Sequence, residues 1–470
     1  MKLGRLDPKP ARLAIVALVL LCGAAAAWFG GRRVFAAAPP RPNVILISLD
    51  TLRADRLGCY GYPKPTTPEL DHFARRATRF EHASTPQGFT LTAHASLATS
   101  LYPSVHGVSD TTALPRQAPK LAERLAEAGY RTFGIVDAVP WLSPKFGFER
   151  GFDTYEQIEG GARGKITRAT QVTGARSERP FYLMLHLFDA HSDMDKTPYE
   201  SDPEDAATFT SWYQGPYRGC SPSNQCGTQH LIEIQTKGTL PPPEVRQLIS
   251  DQYDAGVRSM DRALGELFRA LEEQGRFEDS IIVVTADHGE LLFEHDTVLH
   301  GHLWEETLRV PLLVHLPGQT TKRVSDALVS LVDIAPTILE LLELPPMKPS
   351  QGTSFVGPLH ADHAFLRPYV EISIDDRVFG VRSQRWKLFG MHEFHLYDLF
   401  ADPKESRNLW RDDMIEGPAR EMRAALKERR AEAARLREEV GPPLAIEAAT
   451  KAVRERLKGL GYAGDDDPGH

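Results

Sequence analysis

Acidic and imidazole side chains stand directly after several long apolar runs of this chain. These polar residues are Asp50, Asp189, Asp287 and His288, with His300 and His302 a short distance beyond. Carboxylates and imidazoles are ligands that suit a divalent cation. In open α/β sheets, binding sites form outside the carboxyl ends of the strands. A single Asp after a strand is commonly a helix cap, but repeated strand ends of this kind predict a metal site.

Strands and helices in alternation must position these residues. Continuous apolar runs predict buried strands, and helical spacing that ends at a glycine predicts helices. The predicted strands are 44–47, 131–136, 181–188, 281–284 and 310–316, and the predicted helices are 121–128, 244–273 and 334–342. This alternation predicts an α/β sandwich, in which a mostly parallel central sheet lies between helices.

The composition changes near Pro345 and Pro346, which predicts a domain boundary. Beyond it, short strand-like pieces have the spacing of an antiparallel meander, and a stretch rich in Ala, Arg, Glu and Leu predicts a helix. These segments are 369–373, 378–382 and 386–389 for the strands and 418–440 for the helix. The charge run of that helix predicts a solvated face, with a partner-binding surface as the alternative.

The predicted organisation has four parts. They are a signal peptide or single membrane anchor (1–40), a catalytic domain (41–345), a C-terminal subdomain (346–412) and a helical tail (413–470). The first part has basic residues, the apolar run 13–29 and then small residues, which is the order of a secretory signal. The length of the run also leaves an uncleaved anchor open. We therefore expect an exported protein that is periplasmic, anchored facing the periplasm, or secreted.

The overall charge excludes a dedicated nucleic-acid binder. Lys plus Arg is 55 and Asp plus Glu is 63, a formal charge of −8, whereas such binders carry a basic footprint. Four cysteines in 470 residues exclude a disulfide scaffold, although export permits disulfides. Cys220 and Cys226 flank a short polar loop, which predicts a local disulfide, with two free thiols as the alternative.

Longer segments of the chain resemble the sulfatase family of the alkaline phosphatase superfamily. The segments that carry the resemblance are NVILISLDTLRADRLGCYGY (43–62), TTPELDHFARRATRFEHA (66–83), ASLATSLYPSVHGV (95–108), IIVVTADHGE (281–290), RVPLLVHLPG (309–318), VSLVDIAPTILELL (329–342) and LYDLFADPKESRNL (396–409). They follow one another in unbroken order from Arg41 to Trp410. The resemblance implies an alkaline-phosphatase-like sandwich, a small C-terminal antiparallel sheet and metal-dependent ester hydrolysis.

The chain departs from the family at the nucleophile. The family has a Cys-x-Pro-Ser-Arg motif whose cysteine becomes formylglycine, and here Thr90, Thr92 and His94 stand at the cysteine, proline and arginine positions. The chain therefore resembles a threonine-containing variant without formylglycine. Cys220-Ser221-Pro222-Ser223 imitates the start of the motif, but it lies far downstream and ends in Asn224. The family's sulfate-gripping Lys and His are also missing, because residues 136–139 stand in their place.

The resemblance also implies roles for the polar residues. Asp50, Asp287 and His288 would bind the principal metal, with Thr90 as its fourth ligand and as the nucleophile. His191 would protonate the leaving group, or alternatively is a structural histidine at a strand end. His94 would contact the substrate anion. His186 is interpreted from its place inside an apolar strand, and not from the resemblance, as a core residue whose hydrogen bonds are satisfied. Two alternatives remain for the pair His300 and His302, which would either complete a second metal site with Asp189 and His191 or replace the missing cationic grip.

Threonine at position 90 favours phosphate chemistry. A formylglycine hydrate expels sulfate by collapsing to an aldehyde, which a single hydroxyl cannot do. A phosphothreonine, by contrast, can be cleaved by water in a second step. We therefore expect hydrolysis of phosphate mono- or diesters, with sulfate esters second, on a small-molecule, glycan or lipid substrate. The expected cofactor is one or two divalent cations (Ca, Mn or Zn). The other function classes are an envelope transferase of phosphoryl-linked headgroups and a catalytically inactive binding protein.

Overall fold

The structure is a computed structural model that describes residues 41–192, 197–361, 366–374, 378–390, 393–411 and 416–446. The predicted signal or anchor (1–40) and the end of the tail lie outside these residues. Within the described ranges, no helix has both the length and the apolar character needed to cross a membrane.

An eight-stranded sheet forms the centre of the protein. The strands before the C-terminal part are β1 (Asn43–Leu49), β2 (Thr78–Ser84), β3 (Thr112–Ala113), β4 (Arg131–Asp137), β5 (Thr154–Ile158), β6 (Phe181–Leu187), β7 (Ser280–Ala286), β8 (Leu291–Leu292), β9 (Val298–Leu299), β10 (Leu312–His315) and β11 (Arg323–Ser330). The sheet has the order β11-β2-β10-β7-β1-β6-β4-β5. Only β10 runs antiparallel to its neighbours in this sheet, so the expected mostly parallel sheet is confirmed.

Helices cover the sheet and explain why its central strands are apolar without interruption. All residues of β1, β6 and β7 are buried, as expected where both faces of a parallel sheet are covered. The helices are α1 (Pro68–Phe73), α2 (Thr90–Thr99), α3 (Pro103–His106), α4 (Leu121–Glu127), α5 (Ala162–Gly174), α6 (Pro203–Thr210), α7 (Thr228–Lys237), α8 (Pro243–Glu273), α9 (Glu305–Leu308), α10 (Ile334–Leu341), α11 (Val356–His360) and α12 (Gly417–Val440). The predicted helices correspond to α4, α8, α10 and α12.

The register of the central strands brings the site residues together. Leu49 at the end of β1 lies opposite Leu187 of β6 and Ala286 of β7. Because these parallel strands end level with one another, the residues that follow them, Asp50 and Asp287, emerge at the same edge of the sheet.

The C-terminal part is a four-stranded antiparallel sheet with the α12 helix packed against it. Its strands are β12 (Val370–Ile374), β13 (Val378–Arg382), β14 (Trp386–Gly390) and β15 (Phe394–Asp398), in that order. The first half of α12 packs on this sheet, and Leu436 and Val440 pack against Leu101 and Val105, which lie just after α2 and in α3. The last described strand, β16 (Leu444–Ala445), pairs with β3. The tail thus buries an apolar stripe, while most of its charged residues are exposed.

Candidate active site

Thr90 is the first residue of α2 and is fully buried. Its hydroxyl Oγ1 lies 3.2 Å from His288 Nε2 and 3.4 Å from Asp50 Oδ2. The start of a helix presents free N–H groups and a positive dipole end, which favour a negative charge. The fold therefore places a hydroxyl, an imidazole and a carboxylate at a position suited to an anionic reacting group.

The carboxylates of Asp50 and Asp287 each direct one oxygen into this cluster. Asp287 Oδ1 accepts the backbone N–H groups of Thr51 (3.3 Å) and His288 (2.8 Å). Among the described residues, Asp50 Oδ1 and Asp287 Oδ2 have no hydrogen-bond donor although both atoms are buried. Buried polar atoms are nearly always satisfied, so two orphaned carboxylate oxygens at one point indicate a cation site.

The spacing of the donor atoms fits a metal ion. His288 Nε2 lies 3.5 Å from Asp287 Oδ2 and 3.9 Å from Asp50 Oδ1. Ligands at the usual metal distances in tetrahedral geometry are about 3.3 Å apart. His288 Nδ1 lies 2.9 Å from the carbonyl oxygen of Gly289 and donates to it, which leaves the lone pair on Nε2 facing the cluster. Asp50, Asp287, His288 and Thr90 therefore provide a suitable donor set.

The electrostatics of the metal-free site agree with this interpretation. Burial, and then the charge of Asp287, raises the pKa of Asp50 well above its usual value. Burial alone would lower the pKa of His288, but the carboxylates of Asp287 and Asp50 outweigh it and raise that pKa. In the metal-free protein, the two carboxylates therefore favour a protonated His288. A divalent cation bound at the same place would neutralise the charge of these carboxylates instead.

Two more histidines lie behind these ligands. His186 is fully buried and hydrogen-bonded, as interpreted from the sequence, and its partner is a site carboxylate, because its Nε2 lies 3.1 Å from Asp50 Oδ2. His94 Nδ1 donates to the carbonyl of Thr90 (2.8 Å) and lies 3.6 Å from Asp287 Oδ2. Burial lowers the pKa of both imidazoles to about 4, so both are neutral hydrogen-bonding groups at neutral pH in the metal-free protein.

His191 and His300 form a second group beside His288. The His300 ring centroid lies 4.5 Å from that of His288 and 5.2 Å from that of His191. Glu290 Oε2 lies 2.7 Å from His300 Nδ1, and Glu290 Oε1 accepts the hydroxyl of Tyr199 at 2.8 Å. Glu290 therefore fixes the orientation of His300, a role that the sequence analysis did not identify.

The remaining predicted ligands lie apart from the principal cluster. Asp189 Oδ1 accepts the N–H of Ala162, the first residue of α5, at 2.8 Å. The Asp189 carboxylate therefore satisfies a backbone donor at the start of that helix. His302 Nε2 lies 3.4 Å from the side-chain amide of Gln235. Among the described residues, the three-ligand clusters are His94 with His186 and Asp287, and Asp50 with Asp287 and His288. The expected grouping of Asp189, His191, His300 and His302 is not among them.

The sequence analysis also did not identify a buried lysine near the site. Lys165 of α5 is fully buried and pairs with Asp137 at the end of β4. This pair joins two elements that are distant in the sequence, the helix α5 and the strand β4. No sequence pattern links Lys165 to Asp137, because the two residues meet only through packing of α5 on the sheet.

Comparison with known proteins identifies the family. The sequence model of the family called Sulfatase matches residues 42–344. This chain belongs to the sulfatase family. A second model, described as the C-terminal region of N-sulphoglucosamine sulphohydrolase, matches residues 294–432.

The chain is similar to sulfatases and to a phosphonate hydrolase. It is 21% identical to an arylsulfatase of Clostridium perfringens, over 78% of this chain and 90% of the relative. It is 24% identical to an N-acetylglucosamine-6-O-sulfatase of Bacteroides thetaiotaomicron, over 79% and 83% of the two chains. The phosphonate monoester hydrolase of Agrobacterium radiobacter has the same fold, with a TM-score of 0.69, 19% identity and coverage of 87% of this chain and 100% of its own.

Two of the residues that the sequence analysis interpreted as departures from the family pattern, Thr90 and His94, lie on the helix that begins at the site. Thr90 begins the helix that points at the Asp50, Asp287 and His288 cluster, and His94 lies one turn further along that helix. A Cβ on Gly88 would lie 3.2 Å from the carbonyl oxygen of His302, so the loop before Thr90 packs closely against the segment of His300 and His302. The disulfide between Cys220 and Cys226 is formed, as predicted.

Proposed function

We propose that this sulfatase-family protein is a metal-dependent hydrolase of phosphate mono- or diesters that uses the unmodified hydroxyl of Thr90 as its nucleophile. The observation that carries the proposal is the position of Thr90 Oγ1, 3.2 Å from His288 Nε2 in a cluster with two orphaned carboxylate oxygens. A nucleophilic hydroxyl must be activated by a base or by metal coordination, and this cluster offers both kinds of partner.

The donor set favours a transition metal. Calcium takes six to eight oxygen ligands, whereas the cluster offers one imidazole nitrogen, two carboxylates and one hydroxyl. Zinc or manganese suits such a mixed set better. A divalent cation bound there would neutralise charge on the transferred group and lower the pKa of a hydroxyl in contact with it.

The chain's own residues account for the two chemical steps. Thr90 Oγ1 forms a bond to phosphorus while the bond from phosphorus to the leaving alcohol breaks, and the threonine proton is lost to water. Water then attacks phosphorus, which releases phosphate (or a phosphate monoester from a diester) and restores the Thr90 hydroxyl. The same hydroxyl on a sulfate ester would leave a sulfothreonine that cannot collapse to an aldehyde.

We assign the proton for the leaving alcohol to His191. Its Nδ1 lies 2.9 Å from the carbonyl of Ser192, and its ring stacks on Phe188 with the centroids 4.1 Å apart. Burial, and then the neighbouring His300, lowers the pKa of His191 to about 3. A bound phosphoester carries negative charge, which acts in the opposite direction and raises a histidine pKa. Substrate binding thus acts in the direction that the acid role of His191 requires.

A panel of para-nitrophenyl esters tests this proposal directly. Metal-loaded protein should hydrolyse para-nitrophenyl phosphate or bis(para-nitrophenyl) phosphate, and chelation should abolish the activity. The sulfate ester should be hydrolysed at least tenfold more slowly. Rapid hydrolysis of the sulfate ester with the phosphate esters untouched would overturn the phosphate assignment. Equal phosphate-ester activity with and without a chelator would overturn the metal dependence.

We also propose that the protein acts outside the cytoplasm. The basic and apolar pattern of residues 1–40 supports export, and a disulfide such as Cys220–Cys226 persists in oxidising compartments. Cell fractionation of the full chain should place the activity in the periplasmic, membrane or secreted fraction, and recovery in the cytoplasm alone would contradict export.

A further inference from the structure

The two carboxylates of the proposed metal site are held in different ways. Asp287 accepts two backbone N–H groups at Oδ1, so the backbone itself orients its carboxylate. Among the described residues, the hydrogen-bond partners of the Asp50 carboxylate are side chains at Oδ2, where His186 Nε2 lies at 3.1 Å and the Thr90 hydroxyl at 3.4 Å. The orientation of Asp50 therefore depends on side chains.

His186 is itself held firmly in place. It pairs with Ser48 in the register of β6 and β1 and is fully buried. The His94 ring contacts it edge-on, with the centroids 5.0 Å apart and the planes at 79°. A buried imidazole inside an otherwise apolar strand needs a hydrogen-bond partner. The Asp50 carboxylate provides that partner for His186.

We propose that His186 is a positioning residue that donates from Nε2–H to Asp50 Oδ2 and so keeps Asp50 Oδ1 directed at the metal. The inference rests on the proposed function, because it assigns Asp50 to the metal. Outer hydrogen-bond partners commonly orient metal ligands in this way, and their loss typically weakens metal binding by about 10- to 100-fold.

A direct ligand role for His186 is the competing interpretation, because His94, His186 and Asp287 also approach a common point. The nitrogen of His94 that faces Asp287 is Nδ1, and Nδ1 donates its proton to the Thr90 carbonyl at 2.8 Å. A nitrogen that carries a proton cannot bind a metal. The geometry therefore favours one ion, with His186 behind Asp50, over a second ion at His94 and His186.

Two amide substitutions separate these roles. The terminal amide nitrogen of a glutamine can take the place of imidazole Nε2, whereas that of an asparagine takes only the place of Nδ1. His186→Gln should thus preserve the donor to Asp50, and His186→Asn should remove it. Calorimetric titration of chelator-treated protein with Mn²⁺ and with Zn²⁺ gives the dissociation constant and the number of ions, and circular dichroism confirms that each variant is folded.

We expect one ion per chain, a dissociation constant of His186→Gln within about threefold of wild type, and binding by His186→Asn that is about 10- to 100-fold weaker. Equal binding by both variants would overturn the positioning role. Two ions in wild type and one in both variants would make His186 a ligand instead. These results do not depend on Thr90 chemistry, and a wild-type protein that binds neither ion would instead refute the proposed function together with the inference.

Discussion

Replacing Asp50 by asparagine should stabilise the metal-free protein and abolish its metal binding. The substitution keeps the shape of the side chain, and the amide oxygen can still accept the hydrogen bond from His186. The amide nitrogen replaces Asp50 Oδ1, which has no donor among the described residues, and it enters a cluster with Asp287 Oδ2, an equally orphaned acceptor to which it can donate. It also removes a charge that is unfavourable in the folded protein, because burial and the Asp287 carboxylate raise the pKa of Asp50.

The size of the effect follows from these contacts. A buried acceptor without a donor costs about 1–3 kcal/mol, so the metal-free Asp50→Asn protein should gain a free energy of unfolding of that order. The folded-state pKa of Asp50 lies above its unfolded value, so wild-type protein loses stability as the pH rises through the range between the two. The variant lacks that loss. At a metal concentration of 100 times the dissociation constant, wild type should gain about 2.7 kcal/mol and the variant should gain nothing.

Urea unfolding with a chelator and with Mn²⁺, each near pH 5 and pH 7, measures these terms. Asp254→Asn is the matched control, because Asp254 is equally buried but pairs with Arg56 and Lys64, each at 2.9 Å. Removing one partner of a buried ion pair costs about 3–5 kcal/mol, so the control should be destabilised with or without metal. An Asp50→Asn protein that is less stable than metal-free wild type, or that keeps the stabilisation by metal, would refute the reasoning.

Three further predictions concern other parts of the molecule. Peptide mapping without reductant should recover Cys220 and Cys226 in linked peptides, and two free thiols would contradict the bridge. Burial lowers the pKa of His106 to about 3, so its unfolded form takes up a proton first as the pH falls. His106 alone should therefore contribute a loss of about 1.4 kcal/mol in the free energy of unfolding per pH unit below about 6.5, and urea unfolding of His106→Asn should show a pH slope smaller than wild type by about that amount. Lys165→Met should lower the free energy of unfolding by about 3–5 kcal/mol because it leaves Asp137 unpaired. Adding Asp137→Leu to that variant should restore stability. If urea unfolding shows no restoration, the two residues are not coupled.

The sequence was sufficient for the central strands and for the residues at their ends. Continuous apolar runs predict the buried strands β1, β6 and β7, and parallel strands necessarily bring Asp50 and Asp287 to one edge. It also predicted Thr90 at the site, through the family resemblance of the segment around it. These signals are local, because each depends on a few consecutive residues.

The features of the site that the sequence did not predict depend on contacts between residues that are distant in the chain. His186 alternates with apolar residues in a buried strand, so its spacing cannot distinguish a core histidine from one that contacts Asp50. Lys165 belongs to a helix without a motif, and only packing of α5 brings it to Asp137. Asp189 follows a strand just as Asp50 does, but this strand end faces the start of the α5 helix. The backbone N–H of Ala162 there donates a hydrogen bond to the Asp189 carboxylate.

Trapping the reaction on Thr90 tests the central claim most directly. Metal-loaded wild-type protein, quenched in acid during turnover of a para-nitrophenyl phosphoester, should carry a phosphoryl group on an otherwise unmodified Thr90 in peptide mass spectra. Thr90→Ser should keep part of the activity and carry the group on the serine, because a primary hydroxyl can still attack. Thr90→Ala should show neither the adduct nor turnover. Wild-type turnover by Thr90→Ala, or a formylglycine at position 90 in the wild-type spectra, would contradict the account.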